Sequence, residues 1–260
     1  MPKRKFVSSM LNWCLLSILM ASVSGCVSSG KLVKIDPAQG VTQGFILMTP
    51  EKPVANLILF AGGHGRLRLT SGSNMVWGSA IFTVRSRGKF VDKGFQVAVI
   101  DAPYDKFGYM SINRMSEEHR THVRAVADYM KSKANVPVWL VGTSMGTVSV
   151  ANIAINDPDP YAGAVFTSSF QDVAFEDLSS ITFPTLVVHH QKDACNVCSP
   201  LMAEKIYTKL TGSSSRELRW IEGGYSTGDV CGPNAHHGFL GVEQKAVDAI
   251  EEFILSRPGK

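Results

Sequence analysis

The chain has little charge of either sign: Asp, Glu, Lys and Arg make up 18% of its 260 residues. Its formal charge of +4 leans on one basic cluster, Lys3, Arg4 and Lys5. With that cluster set aside, the 26 basic residues fall to 23, against 22 acidic ones. Such a balance offers no basic face for nucleic acid and no electrostatic patch for a membrane. Cysteine is sparse, five in all: Cys14, Cys26, Cys195, Cys198 and Cys231. Cys195 and Cys198 have the spacing of a redox pair, but no thioredoxin-like pattern surrounds them. A zinc site from the three later cysteines and His236 is weaker again, so neither metal nor cofactor is expected. No repeat and no second domain is visible, and the length suits one sizeable core. No unbroken apolar run reaches the roughly 20 residues of a membrane span. The longest, Phe6 to Met20, is diluted by Ser8, Ser9, Asn12 and Ser17.

What is present is a run of Val138 to Val141, read as a buried strand, ending in Gly142-Thr-Ser-Met-Gly146. A helical stretch follows, Thr147 to Ile155. This is G-x-S-x-G in a strand–turn–helix setting, which exposes the serine hydroxyl on a sharp, strained turn. Gly142 and Gly146 flank Ser144 because a side chain at either place would crowd the turn. The Met145 amide lies at a helix N-terminus, where unpaired N–H groups favour developing negative charge.

A serine hydroxyl is a weak nucleophile and needs a base, and the base needs an orienting group. Thr185 to His190 reads as a strand that ends just before Asp193. His237 sits in a loop before a last helix, Val242 to Leu255. Ser144, Asp193 and His237 therefore stand in the order of a nucleophile, acid and base. Asp172, Glu176 and Asp177 are rival acids, since they follow the preceding strand. His236 is a rival base, but Gly238-Phe239 favours its neighbour. His189 and His190 fall inside a strand and read as packed core residues. His119 and His122 fall on a polar helix and read as solvated. The loop Ala61-Gly-Gly-His-Gly65 follows the strand Val54 to Phe60. An amide at Gly63 or His64 is expected to join that of Met145 in an oxyanion hole. A phosphate-binding loop is the weaker alternative, because no Lys-Ser or Lys-Thr follows and the spacing is not that of a P-loop.

With these motifs the chain resembles serine hydrolases of the α/β-hydrolase fold over roughly Phe45 to Leu255. Val84-Arg-Ser-Arg87, Val97 to Pro103, His189 to Asp193 and His237-Gly-Phe239 are similar to a bacterial group of small esterase-like and dienelactone-hydrolase-like proteins. The resemblance implies a mostly parallel sheet covered on both faces and an acyl-enzyme formed on Ser144. The oxyanion loop lacks the His-Gly-Gly-Gly form of hormone-sensitive-lipase-type esterases. Serine stands where dienelactone hydrolases have cysteine, so lactone chemistry is not implied. The expected activity is cleavage of a carboxylic ester in a small acyl substrate. The same residues would serve a thioesterase or a peptidase, and a non-catalytic envelope protein could keep the fold for binding.

The basic start, the apolar Phe6 to Met20 and Val23-Ser-Gly-Cys26 resemble a bacterial lipoprotein signal with its lipobox. Cleavage before Cys26 would remove residues 1–25 and leave a lipidated cysteine. Two or three acyl chains suffice for stable anchoring. The resemblance implies a cell-envelope location, on the periplasmic side and in the outer membrane. Residues 26–44 then form a lead-in and residues 45–260 the hydrolase domain. An exported chain keeps disulfides, and a Cys195–Cys231 bridge would tie the acid loop to the base loop.

Alternating strands and helices argue for a parallel sheet covered on both faces. Further strands are expected over 45–48, 95–100, 161–166 and 216–221, and further helices over 85–93, 116–132 and 201–210. The spacing from Ser144 to Asp193 leaves no room for a large cap domain. Loops therefore roof the pocket, chiefly 66–83, 105–114 and 168–180. Arg66, Arg68, Arg85 and Arg87 read as surface charges or loop anchors, with an acidic substrate group as the alternative. Oligomeric state is not legible.

Overall fold

A computed structural model describes residues 29–38, 40–103 and 113–257. The strands are β1 (Lys31–Ala38), β2 (Val41–Met48), β3 (Ala55–Phe60), β4 (Phe95–Ile100), β5 (Val138–Thr143), β6 (Tyr161–Thr167), β7 (Thr185–His190) and β8 (Arg216–Ile221). They form one sheet in the order β1-β2-β4-β3-β5-β6-β7-β8. β1 pairs antiparallel with β2, β2 pairs antiparallel with β4, and every later pairing is parallel. β3, β4, β5 and β7 are buried at every position. Continuous apolar strands of this kind need cover on both faces.

Helices supply the cover. α1 (Phe82–Arg85), α2 (Arg87–Asp92) and α6 (Glu243–Leu255) pack on one face, around Phe82, Phe90, Trp139 and Phe253. α3 (Glu117–Lys133), α4 (Gly146–Asn156) and α5 (Pro200–Lys209) pack on the other, around Phe45, Phe60, Leu140 and Phe166. α3 starts where the sequence requires. The Ser116 side chain accepts from the His119 amide, Glu117 and Glu118 occupy the first turn, and Lys131 and Lys133 the last. That charge order matches the helix dipole. β3 lies between β4 and β5, so the strand order reverses there. Such a switch opens a crevice beyond the C-terminal ends of the strands.

Three expectations need correction. Residues 31–38, read as a lead-in, form β1 and extend the sheet. The segment 66–83 is only partly a polar loop: Leu67 and Leu69 are buried, and Leu69 bridges to Met75. The Asp101 carboxylate pins it by accepting from the amides of Leu67, Arg68, Leu69 and Ala102 at 2.7 to 3.2 Å. His119 and His122 are buried rather than solvated, because α3 turns them toward the sheet with Val123 and Val126. Burial, with the Arg114 charge next, pushes the His119 imidazole down to about 3. The expected signal segment, Cys14, Cys26 and most of the roof loop 105–114 lie outside the described residues. Among the described residues no helix is long and apolar enough to cross a membrane.

Candidate active site

Ser144 follows β5 with φ at +52°, a left-handed conformation that non-glycine residues rarely adopt. Its amide donates to Thr167 O at 3.0 Å, which ties the turn to β6. A Cβ on Gly142 would stand 2.6 Å from Gly146 O, and one on Gly146 would stand 2.5 Å from Phe60 O. Both glycines are thus sterically required, as the motif implied. α4 begins immediately after, with Met145 at its N-cap.

Asp193 and His237 come together from two loops. The His237 Nδ1 lies 2.9 Å from Asp193 Oδ2, and both side chains are buried. Asp193 Oδ1 accepts from the Cys195 amide at 2.9 Å. Burial alone would raise this carboxyl. The close approach of His189 and the bonds from His237 and the Cys195 amide outweigh it and hold Asp193 below the usual carboxylate range. His189 Nε2 approaches Asp193 Oδ2 at 3.3 Å. The contact falls short of hydrogen-bond geometry. His189 is therefore more than packing, which the sequence did not reveal. His190 is a bonded core residue as expected: Nε2 meets Gly223 O at 2.8 Å, and the ring stacks on His236 at 4.3 Å. The contact with Asp193 is made by His237 and not by this neighbour.

The loop of His237 is held on several sides. Ser168 Oγ donates to His237 O at 2.7 Å. Arg85 donates to Pro233 O and Gly238 O and pairs with Glu243 at 2.8 Å, so Arg85 is a loop anchor. A disulfide joins Cys195 to Cys231. Asp172 and Glu176 line a separate cleft, and Asp177 bonds Ser179.

One cavity of about 120 Å³ brings Ser144 and His237 together with the glycine loop. Gly62, Gly63, Trp77, Ile81, Phe82, Ser144, Pro233 and His237 line it. Among the described residues that line it, His237 is the one with an ionisable side chain. Gly63 adopts φ +55°, and a Cβ there would strike the Trp77 ring at 2.8 Å. His64 stacks on the same indole at 3.7 Å, and its Nδ1 accepts from the Arg66 amide at 3.1 Å. Among the described residues, the amides of Gly62, Gly63, His64 and Met145 have no protein acceptor. The residues of the glycine loop thus flank Ser144 with donors that meet no acceptor among the described residues.

The sequence missed Cys198. It is buried, and its Sγ lies 3.7 Å from Ser144 Oγ, the hydrogen bond this hydroxyl makes here. Burial pushes the thiol up to about 12, so it stays protonated at neutral pH. Cys195, Cys198 and His237 offer ligand atoms within 4.8 Å of one another. A metal there would need Cys195, whose sulfur is spent on the disulfide.

Neither a family model nor a curated protein matches this sequence. Solved structures do. An esterase of Pyrococcus furiosus is similar over 88% of this chain and 92% of its own, with 12% identity and a TM-score of 0.66. The dienelactone hydrolase of Anabaena variabilis is similar over 88% and 99%, with 13% identity and a TM-score of 0.63. An acylaminoacyl peptidase of Pyrococcus horikoshii is similar over 91% of this chain but 43% of its own, with 10% identity and a TM-score of 0.62. At such identities the likeness concerns the fold. With the strand order, the two helical layers and the turn at Ser144, it establishes that this chain has the α/β-hydrolase fold, with no large cap evident among the described residues.

Proposed function

We propose that the protein is a serine hydrolase that cleaves a carboxylic ester bearing an uncharged, apolar acyl group. The observation that carries this reading is the convergence, on one apolar cavity, of a strained serine and an imidazole bound to a buried carboxylate. In the reaction the Ser144 hydroxyl turns from Cys198 toward the substrate and attacks the carbonyl carbon. His237 takes the hydroxyl proton and then gives it to the leaving alcohol. Asp193 keeps the imidazole in one tautomer and stabilises the imidazolium. Free amides of the Gly63–His64 loop and of Met145 receive the oxyanion. Water, activated by His237, then releases the acid from Ser144. No step calls for a metal or cofactor. The apolar walls formed by Trp77, Ile81, Phe82 and Pro233 favour neutral acyl groups, because burying a charge there without a partner is costly.

A fluorophosphonate probe together with a panel of acyl esters, thioesters and aminoacyl amides tests this. Label on Ser144 and fastest turnover of neutral esters are expected. Faster thioester or amide cleavage would redirect the reading to a thioesterase or peptidase. A folded protein that takes no label would favour a non-catalytic envelope binding role.

The chain is further proposed to be anchored in the bacterial cell envelope through lipid on Cys26, facing the periplasm. Support comes from the basic start, the apolar stretch and the lipobox-like Val23-Ser-Gly-Cys26. Labelled fatty acid should enter the wild type and not Cys26→Ser. Equal labelling of both would sink the anchor.

A further inference from the structure

Arg114 is 2% exposed and is among the largest buried side chains. Among the described residues no carboxylate pairs with it. A buried cation without a counter-ion is an expensive arrangement, so its surroundings bear on its purpose. Its Nη1 donates to Ser149 Oγ at 2.8 Å, and its Nη2 to Ala61 O at 2.8 Å and Gly63 O at 3.3 Å. Its own carbonyl accepts from Asn152 Nδ2 at 2.8 Å. Ser149 and Asn152 both belong to α4, the helix that starts beside Ser144. Arg114 therefore fastens the glycine loop to the helix of the nucleophile.

In a trans peptide the C=O and the following N–H point in opposite directions. Holding the Ala61 and Gly63 carbonyls on one guanidinium turns the amides of Gly62 and His64 away from it. Those amides have no protein acceptor among the described residues, and Gly62 and Gly63 line the cavity with Ser144. Burial lowers the guanidinium to about 10, which leaves it charged at neutral pH. Donation from a cation also polarises each peptide and strengthens its N–H as a donor.

We propose that Arg114 is a positioning residue for the oxyanion hole: it fixes the Ala61–His64 peptides and sets a positive charge behind the developing oxyanion. This rests on the serine hydrolase reading above. The role is electrostatic as well as structural, so its signature is a loss of transition-state binding rather than of substrate binding.

The test compares wild type with Arg114→Gln, Arg114→Lys and Ser149→Ala. It measures kcat and KM on a neutral p-nitrophenyl ester, the affinity of a trifluoromethyl ketone that forms a tetrahedral adduct, and the melting temperature. Removing a direct oxyanion donor costs about 100- to 1000-fold in kcat. Arg114 acts one peptide away, so Arg114→Gln should lower kcat about 10- to 100-fold, with KM changed less than about twofold. Ketone affinity should fall by a similar factor. Arg114→Lys keeps the charge and should recover much of both losses. Ser149→Ala keeps both carbonyl contacts and should lose only a few-fold. Unchanged ketone affinity in a folded Arg114→Gln would overturn the proposal, as would equal losses in the Lys and Gln variants. If Arg114→Gln does not fold, Arg114→Lys decides: a loss of kcat without a matching loss of ketone affinity refutes the role. A wild type that takes no fluorophosphonate at Ser144 overturns both readings. A labelled wild type with insensitive Arg114 variants overturns this one alone.

Discussion

Reduction of the Cys195–Cys231 bridge should weaken the fold and disorganise the Asp193–His237 pair proposed to activate Ser144. The two cysteines are 36 residues apart in sequence. Chain-entropy arguments give about 4 kcal/mol for closing a loop of that length in the unfolded state. A domain of this size loses about 2–4 °C of melting temperature per kcal/mol, so reduction should lower it by roughly 8–16 °C. The bridge also joins the loop of Asp193 to the loop of His237, whose contact is 2.9 Å. Loops move more than the elements carrying them, so turnover should fall while Ser144 remains chemically intact. Scanning calorimetry with and without a phosphine reductant measures the first effect. Ester hydrolysis in the same samples, below the melting transition, measures the second. Cys231→Ser should reproduce both without reductant. Thiol titration must confirm that the bridge has opened. A fully reduced protein that melts within about 2 °C of the oxidised one would refute the entropy argument. Peptide mapping that found Cys195 joined to Cys198 would refute the pairing itself.

Ser144→Ala and His237→Ala should each lower kcat by several orders of magnitude, whereas His236→Ala should be mild; a dead His236 variant beside an active His237 variant would reverse the assignment of the base. Asp101→Asn should destabilise by about 2–5 kcal/mol, because the new amide presents N–H to the Leu69 amide and the other bonds lose their charge assistance; denaturant titration measures it, and a change under about 0.5 kcal/mol would show that the loop is held by other means. Asp193 is held below its ordinary carboxylate range in the folded state. Its share of stability is therefore present above the unfolded value near 4 and is lost as pH falls through the folded value. Asp193→Asn should accordingly flatten the acid limb of a stability profile between pH 5 and about 2, and an unchanged limb would contradict this.

The nucleophile turn was legible because sterics leave few choices there. Gly142 and Gly146 are glycines since a Cβ at either would collide with backbone. The contact between Asp193 and His237 was legible from their order along the chain and their place after a strand and before a helix. β1 was not, because an edge strand with Lys31, Lys34 and Asp36 lacks the apolar run that marked β3 to β5. His119 and His122 were misjudged because the polar residues of α3 hide its buried stripe. The alternation of Arg66-Leu-Arg-Leu69 was a signal for the buried Leu67 and Leu69, but the polar composition of the segment outweighed it. Arg114 and Cys198 were beyond reach for another reason. Their partners lie 53 and 54 residues away in sequence, and neither backbone carbonyls nor a serine hydroxyl leave a complementary pattern.

Trp77 gives the molecule a built-in optical gauge. Its indole forms part of the cavity wall, touches the Gly63 backbone and carries the His64 ring on its face. Among the described residues two other indoles emit: Trp139 is sealed in the core at 1% exposure, and Trp220 on β8 packs edge-on against His189, so Trp220→Phe is needed to isolate the Trp77 signal. Emission from the core indole is a constant background, whereas that from Trp77 depends on whether water or hydrocarbon fills the space beside Ser144. Occupancy of the cavity can therefore be followed by fluorescence in the unlabelled protein, even with ligands that are never turned over.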